Sequence, residues 1–141
     1  LVWFYTPINI VNDPEECEIM FFLFYPTNVD DISQYGKFDM NRFDVLCDDT
    51  ISLRNMDEEQ ARKIFNYLST CKMRRRLKKP NEVIFTDQVE MNFMFRTKHK
   101  TNAIYLGKGD FNYVSSGLIK LDILQAEEVK KRILEIILTS N

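Results

Sequence analysis

Three cysteines and one histidine are the residues of this chain best suited to nucleophilic chemistry: Cys17, Cys47, Cys71 and His99. A thiol beside an imidazole is the minimal attacking pair of a small Cys/His hydrolase. His99, however, stands between Lys98 and Lys100 in a polar stretch, the setting of an exposed turn, and no adjacent motif supports catalysis. The cysteines form no C-x-x-C pair, and with a single histidine they offer no ordinary zinc tetrad. Each lies beside apolar residues, which reads as a free thiol serving as a small buried hydrophobe. One disulfide plus one free thiol is the alternative.

Adjacent carboxylates could supply a general acid and base, or ligands for a hard cation. The pairs are Glu15-Glu16, Asp30-Asp31 and Asp48-Asp49. None is followed by the alternating carboxylates, glycine and distal glutamate of a calcium loop, so they read as acidic turns. Asp30, Asp31, Asp48 and Asp49 are the best candidates for an incidental cation site, and no dedicated metal site is expected. Gly107-Lys108-Gly109-Asp110 superficially matches a phosphate-cradling loop but lacks a third glycine and joins strands instead of opening a helix. Its glycines read as suppliers of positive φ in a hairpin turn. No cofactor is therefore expected, and neither nucleotide nor hydride chemistry finds its usual residues.

The most distinctive local feature is cationic. Lys72, Arg74, Arg75, Arg76, Lys78 and Lys79 place six cations in eight residues. Such a cluster can neutralise several phosphates, or face an acidic protein or an anionic surface. Aromatic residues that could stack bases, such as Phe93, Phe95 and Tyr105, read instead as core. At the end of a helix the same cations would answer the negative end of its dipole. Charge is unevenly spread along the chain. Residues 1–60 carry 13 acidic and 3 basic side chains, residues 61–100 carry 3 and 11, and residues 101–141 balance at 5 and 5, within a net charge of −2. An acidic first stretch could also answer the basic segment intramolecularly.

Elements must position these groups. A chain of 141 residues, 45% hydrophobic and 28% charged, has the size and composition of one globular domain. Residues 17–25 are dense in aromatic and aliphatic side chains between turn residues, and predict a strand buried on both faces. Residues 26–41 read as a loop with at most a short helical turn. Residues 42–47 predict a strand with Phe43, Val45 and Cys47 on one face. Residues 55–71 predict a helix opened by Asn55 or Asp57, with Ala61, Ile64, Phe65, Leu68 and Cys71 as its apolar stripe. Strands follow at 82–87, 89–96, 103–106, 111–114 and 118–123, separated by short turns, which predicts an antiparallel meander. In the strand at 89–96, Val89, Met91, Phe93 and Phe95 share one side, and Glu90, Asn92, Met94 and Arg96 the other. A closing helix at 124–138 carries Ala126, Val129, Ile133, Ile136 and Ile137 on its buried side. The order predicts an α+β fold: a two-layer sandwich in which two amphipathic helices cover one face of a mostly antiparallel sheet.

No apolar run reaches the roughly 20 residues a membrane-spanning helix needs. Leu1 to Tyr5 is apolar and reads either as a first core strand or as the last turns of a removed signal or anchor helix. From Phe43 to Leu138 the pattern resembles small domains of exported or membrane-anchored bacterial proteins, chiefly Gram-positive. The matching pieces are a strand, Asp57-Glu58-Glu59 opening a helix, a Lys-rich link, alternating strands with Ile104-Tyr105-Leu106-Gly107 and Gly117-Leu118-Ile119-Lys120-Leu121, and an acidic-then-basic closing helix. The three cysteines and the aromatic strand at 17–25 depart from that pattern. The resemblance brings no catalytic residue or cofactor; it implies an extracytoplasmic domain, a cytoplasmic one being the alternative. The expectation is a non-enzymatic binding or interaction domain, with a nucleic-acid-binding module built on residues 72–79 as the alternative and a Cys/His hydrolase third.

Overall fold

The computed structural model describes residues 6–47, 50–53, 56–76, 88–109, 111–117 and 119–138. Within them the chain forms β1 (Ile8–Asn9), β2 (Glu18–Phe24), β3 (Phe43–Cys47), β4 (Thr50–Leu53), α1 (Glu58–Leu68), β5 (Lys72–Arg75), β6 (Val89–Arg96), β7 (Thr101–Gly107), β8 (Tyr113–Ser116), β9 (Ile119–Ile123) and α2 (Ala126–Leu138). The architecture is α+β. All nine strands join one sheet in the order β1-β5-β9-β8-β7-β6-β2-β4-β3, and every neighbouring pair is antiparallel. The expected strand at 82–87 and the apolar residues 1–5 lie outside the described residues.

The meander is real from β6 to β9, where consecutive strands are neighbours. Its flanks are not sequential. β5 adds beside β9, with Met73 opposite Ile123, and β2 adds beside β6, with Phe22 opposite Phe93. β1 and β2, close in sequence, therefore lie on opposite sides of the meander. The link between them buries Ile10 and Val11 and makes a single 3-10 turn at Pro14–Glu16, started by Asp13, whose carboxylate accepts from the Glu15 amide.

β6 is the spine of the core. Met91, Phe93 and Phe95 are sealed from solvent, as are Ile104 and Leu106 on the neighbouring β7. Period-2 alternation explains this, since one face of a strand meets the core at every second residue. The Phe22 and Phe93 rings stack at 5.6 Å, and Phe65 of α1 meets Phe95 at 5.5 Å. A second aromatic group, Phe24, Phe38 and Phe43, closes the β2–β4–β3 end.

α1 begins where Asp57 accepts from the Gln60 amide at 2.6 Å, with Glu58 and Glu59 in its first turn. It buries Ile64, Phe65 and Leu68 and packs against α2. α2 buries Val129, Ile133, Leu134 and Ile137. The last carbonyls of a helix lack partners within it. Here Gln60, itself buried, donates its side-chain amide to the carbonyls of Ile136 and Ile137, 3.4 Å from each.

Several expectations are corrected. β2 is not buried on both faces: Phe22 and Phe24 are enclosed, but Met20 is 49% exposed. β3 is a sheet edge, so Phe43 is buried while Val45 is 65% exposed and Cys47 is exposed. The helix at 55–71 is shorter, closing at Leu68. The cationic residues after it do not cap it. They form β5, one strand in from the edge.

Candidate functional site

β5 displays the cationic segment because strand alternation sends Met73 into the core and turns Lys72 and Arg74 to the opposite face; Arg75, exposed at the end of the strand, lies on the Met73 side. Lys72 donates to the Asn9 side chain of β1 at 2.6 Å. Arg76, just beyond the strand, is drawn inward. Its Nε lies 2.7 Å from Asp122, and its guanidinium rests over the Tyr113 ring at 4.9 Å. Lys120 lies over the same ring at 5.2 Å, and Tyr113 stacks on Tyr105 at 4.9 Å. The face shared by β5, β9, β8 and β7 therefore carries cations and aromatic rings together, but Arg76, Lys120 and the two tyrosines contact one another. Burial raises the Tyr113 phenol above its ordinary range. Lys78 and Lys79 lie outside the described residues.

The acidic first stretch and the basic 61–100 stretch meet where Glu18 pairs with Arg96 at 2.7 Å, while Arg76 of the cationic segment lies 2.7 Å from Asp122 and Asp30 lies 3.9 Å from Lys108, both partners coming from the last third of the chain.

His99 is exposed in the turn between β6 and β7. Cys17 and Cys71 are buried, and their thiols point at backbone carbonyls, Cys17 at Asp13 and Cys71 at Tyr67. Burial raises both thiols above their ordinary range, with the Asp13 carboxylate adding to the rise at Cys17. A thiolate is thus disfavoured at either position. All three cysteines are free; the expectation that each is buried fails at Cys47, which β3 presents to solvent. Asp31 is engaged locally, accepting from the Ser33 hydroxyl at 2.6 Å. Asp48 and Asp49 lie outside the described residues. No three histidine, cysteine, aspartate or glutamate side chains converge among the described residues.

The Gly107–Gly109 loop joins β7 to β8. Gly109 has φ +63°, as a tight turn requires, but Gly107 serves differently. A Cβ there would stand 2.1 Å from the Gln88 carbonyl oxygen, so only glycine lets β7 pass so close to the start of β6. No helix among the described residues is long and apolar enough to cross a membrane.

Two features escape a reading of the sequence. The first is a buried ion pair between Lys130 of α2 and Glu90 of β6, at 2.5 Å, with both side chains at most 6% exposed. Lys130 also reaches Glu127 at 3.1 Å and the Gly107 carbonyl at 3.4 Å. Burial raises the Glu90 carboxyl above the usual range against the opposing pull of Lys130. The second is a cavity of about 480 Å³ between β2 and α1, with Cys17 in its wall. No sequence pattern announces either one, because each depends on which helix turn meets which strand. Comparison with protein-family models, with curated proteins and with solved structures found no match.

Proposed function

We propose that the chain is a non-catalytic binding domain that engages an acidic protein partner through the cationic strand β5. The observation that carries this reading is the exposure of Lys72 and Arg74 on one face of β5, with Arg75 exposed at the end of the strand. A run of like charge on a rigid strand raises the local concentration of an anionic partner and speeds its encounter. An acidic protein suits the surface better than single-stranded nucleic acid does. Bases need free ring faces to stack on, and Tyr105 and Tyr113 are stacked on each other with Arg76 and Lys120 over Tyr113.

The scaffold for this surface is a two-layer arrangement in which both helices cover the Met91–Phe93–Phe95 face of the sheet. The Phe65–Phe95 ring contact, the Lys130–Glu90 pair and the Gln60 bonds between the helices support it. β5 is then held from behind at Met73 while Lys72 and Arg74 point away.

The test is binding of immobilised poly-glutamate, with single-stranded RNA and anionic vesicles alongside, across a salt series. Poly-glutamate binding that weakens with salt and falls at least tenfold in the Lys72→Glu/Arg74→Glu/Arg75→Glu variant is expected. Equal binding by the variant, or tighter salt-sensitive binding to RNA, would replace this reading.

A further inference from the structure

The outward cations of β5 continue onto its neighbour. Arg74 is directly opposite Asp122 of β9, and Asp122 is directly opposite Tyr113 of β8, so all three project from the face that Met73 and Ile123 avoid. Lys120, two residues before Asp122, shares that face. Arg76 answers Asp122, Nε to Oδ1 2.7 Å, and its guanidinium lies over the Tyr113 ring. The Lys120 ammonium lies over the same ring, 5.2 Å from its centre. Among the described residues, neither Lys120 nor Arg74 has an ion-pair partner. We propose that Arg74 and Lys120 form a phosphate-binding subsite of this surface. Its occupant is a phosphorylated serine or threonine of the acidic protein partner, an assignment that rests on the binding role of β5 given above.

Charge selects a dianion. Arg76 and Asp122 cancel, whereas Arg74 and Lys120 leave two positive charges at one place. They are diagonal neighbours across β5 and β9, about 7–8 Å apart at the backbone, a gap that long side chains close. A phosphomonoester carries about −1.5 to −2 charge near pH 7 and presents three acceptor oxygens. One such group meets both cations, where a single carboxylate leaves one of them unanswered. Ser115 stands directly opposite Lys120 on β8, and its hydroxyl, which makes no hydrogen bond among the described residues, is a further donor beside the ammonium. Crowding like charges on neighbouring strands is destabilising. The Tyr113 ring offsets part of that cost by holding Arg76 and Lys120 over its face. Surroundings select a protein as the source of the phosphate. Tyr105 and Tyr113 are stacked on each other under these cations, which leaves no ring to stack a base. The exposed apolar residues of the flanking strands, Ile8 and Ile119, project from the opposite face, so they offer nothing beside the subsite to enter a bilayer.

Three labelled peptides of one glutamate-rich sequence, carrying serine, phosphoserine or glutamate at the centre, are titrated with the whole chain by fluorescence anisotropy. Vesicles containing phosphatidic acid and a 5′-phosphorylated single-stranded RNA present the same phosphomonoester from other sources. The phosphoserine peptide is expected to bind about tenfold tighter than the glutamate peptide, and tighter than vesicles or RNA. Lys120→Gln leaves Lys72, Arg74 and Arg75 in place. It should cut the phosphoserine preference to about threefold or less while serine-peptide binding changes by less than about twofold. Lys120→Arg should keep the preference, with circular dichroism confirming that both variants are folded. Arg74→Gln should weaken all three peptides and the phosphoserine peptide most. Equal binding of the phosphoserine and glutamate peptides, or a full preference in Lys120→Gln, would overturn the subsite, while binding of poly-glutamate would leave the β5 reading standing. Tighter binding to vesicles or RNA would overturn the protein source. Failure of every acidic peptide and of poly-glutamate to bind would overturn both readings.

Discussion

The ammonium of Lys130 lies 2.5 Å from the carboxylate of Glu90 in the interior of the protein, so α2 and β6 are joined by a buried charge pair. Burial of each ion is costly and their attraction offsets it only when both are present. The carboxyl whose folded pKa is raised favours the fold most below its ordinary range, and that contribution is lost as pH rises through the raised value.

Lys130→Met therefore leaves Glu90 to bear its burial alone. At neutral pH the variant should lose about 3–5 kcal/mol, the usual cost of removing one partner of a buried pair. As pH falls through the raised Glu90 value, protonation removes the charge and the deficit should shrink. Urea unfolding at several pH values checks this, and a deficit that grows in acid would contradict it. The double variant Lys130→Met/Glu90→Leu should recover most of the loss, since an apolar pair of similar volume is often neutral or better.

Gln60→Ala tests the bond between the helices. Two buried carbonyls of Ile136 and Ile137 lose their donor. An unmade buried hydrogen bond costs about 1–3 kcal/mol, and alanine's better helix propensity returns about half a kcal/mol. A net loss of about 1–2 kcal/mol is expected in denaturant unfolding, with the C-terminal turn of α2 exchanging amide hydrogen faster.

Gly107→Ala should be far more damaging than its size suggests. The added Cβ meets backbone, the Gln88 carbonyl at 2.1 Å, and no flexible side chain can give way. Displacing β7 there also disturbs the Gln88 carbonyl's bond from the Lys108 amide and the contact of Lys130 with Gly107. A loss of about 1–3 kcal/mol or more is expected. Gly109→Ala, which meets no neighbour and is limited by φ +63°, should cost only about 1–2 kcal/mol.

Thiol labelling should resolve the three cysteines in order. Cys47 is exposed and should react first with iodoacetamide; Cys17 and Cys71 are buried with raised pKa values and should react only as the protein unfolds. Mass mapping of labelled peptides over time gives the answer, and early labelling at Cys17 would show that the β2–α1 cavity opens to its wall.

Gln125, at the start of α2, has φ +53°, a left-handed conformation that costs a side chain about 1–2 kcal/mol. Gln125→Gly relieves that strain at the expense of unfolded-chain entropy of about 0.4–1 kcal/mol. A net gain of roughly half a kcal/mol is expected, read as a higher midpoint of thermal unfolding.

What the sequence made legible was what periodicity controls. β6 alternates cleanly, and α2 repeats its apolar residues at helical spacing, so both elements and most of their buried residues could be read directly. β5 could not be. Four of its five nearest cationic and apolar positions, Lys72, Arg74, Arg75 and Arg76, are charged, and Met73 alone marks an inward face. β3 alternates well enough to suggest a buried side, but its place at the sheet edge leaves Val45 uncovered, and place in a sheet is a tertiary property. Glu90 reads as solvent-facing by parity. The register shift between Val89 and Met91 interrupts that parity, and Lys130 waits where the carboxylate is buried. The cationic segment was visible as charge but not as a strand, and the β2–α1 cavity had no linear signature.

The link from β1 to β2 sets a limit on the shape of the sheet. Six inter-strand steps separate the two strands, about 29 Å across a flat sheet at about 4.8 Å per step. Asn9 and Glu18 are nine residues apart, and the 3-10 turn at Pro14–Glu16 shortens that stretch. With about 2.0 Å per residue in the turn and up to about 3.4 Å elsewhere, the link spans at most about 26 Å. A chord shorter than the flat width means that the strands between must follow an arc. The N-terminal link acts as a bowstring, holding the sheet bent around its core, with Arg62 fastening it at Pro14 to the helix it passes.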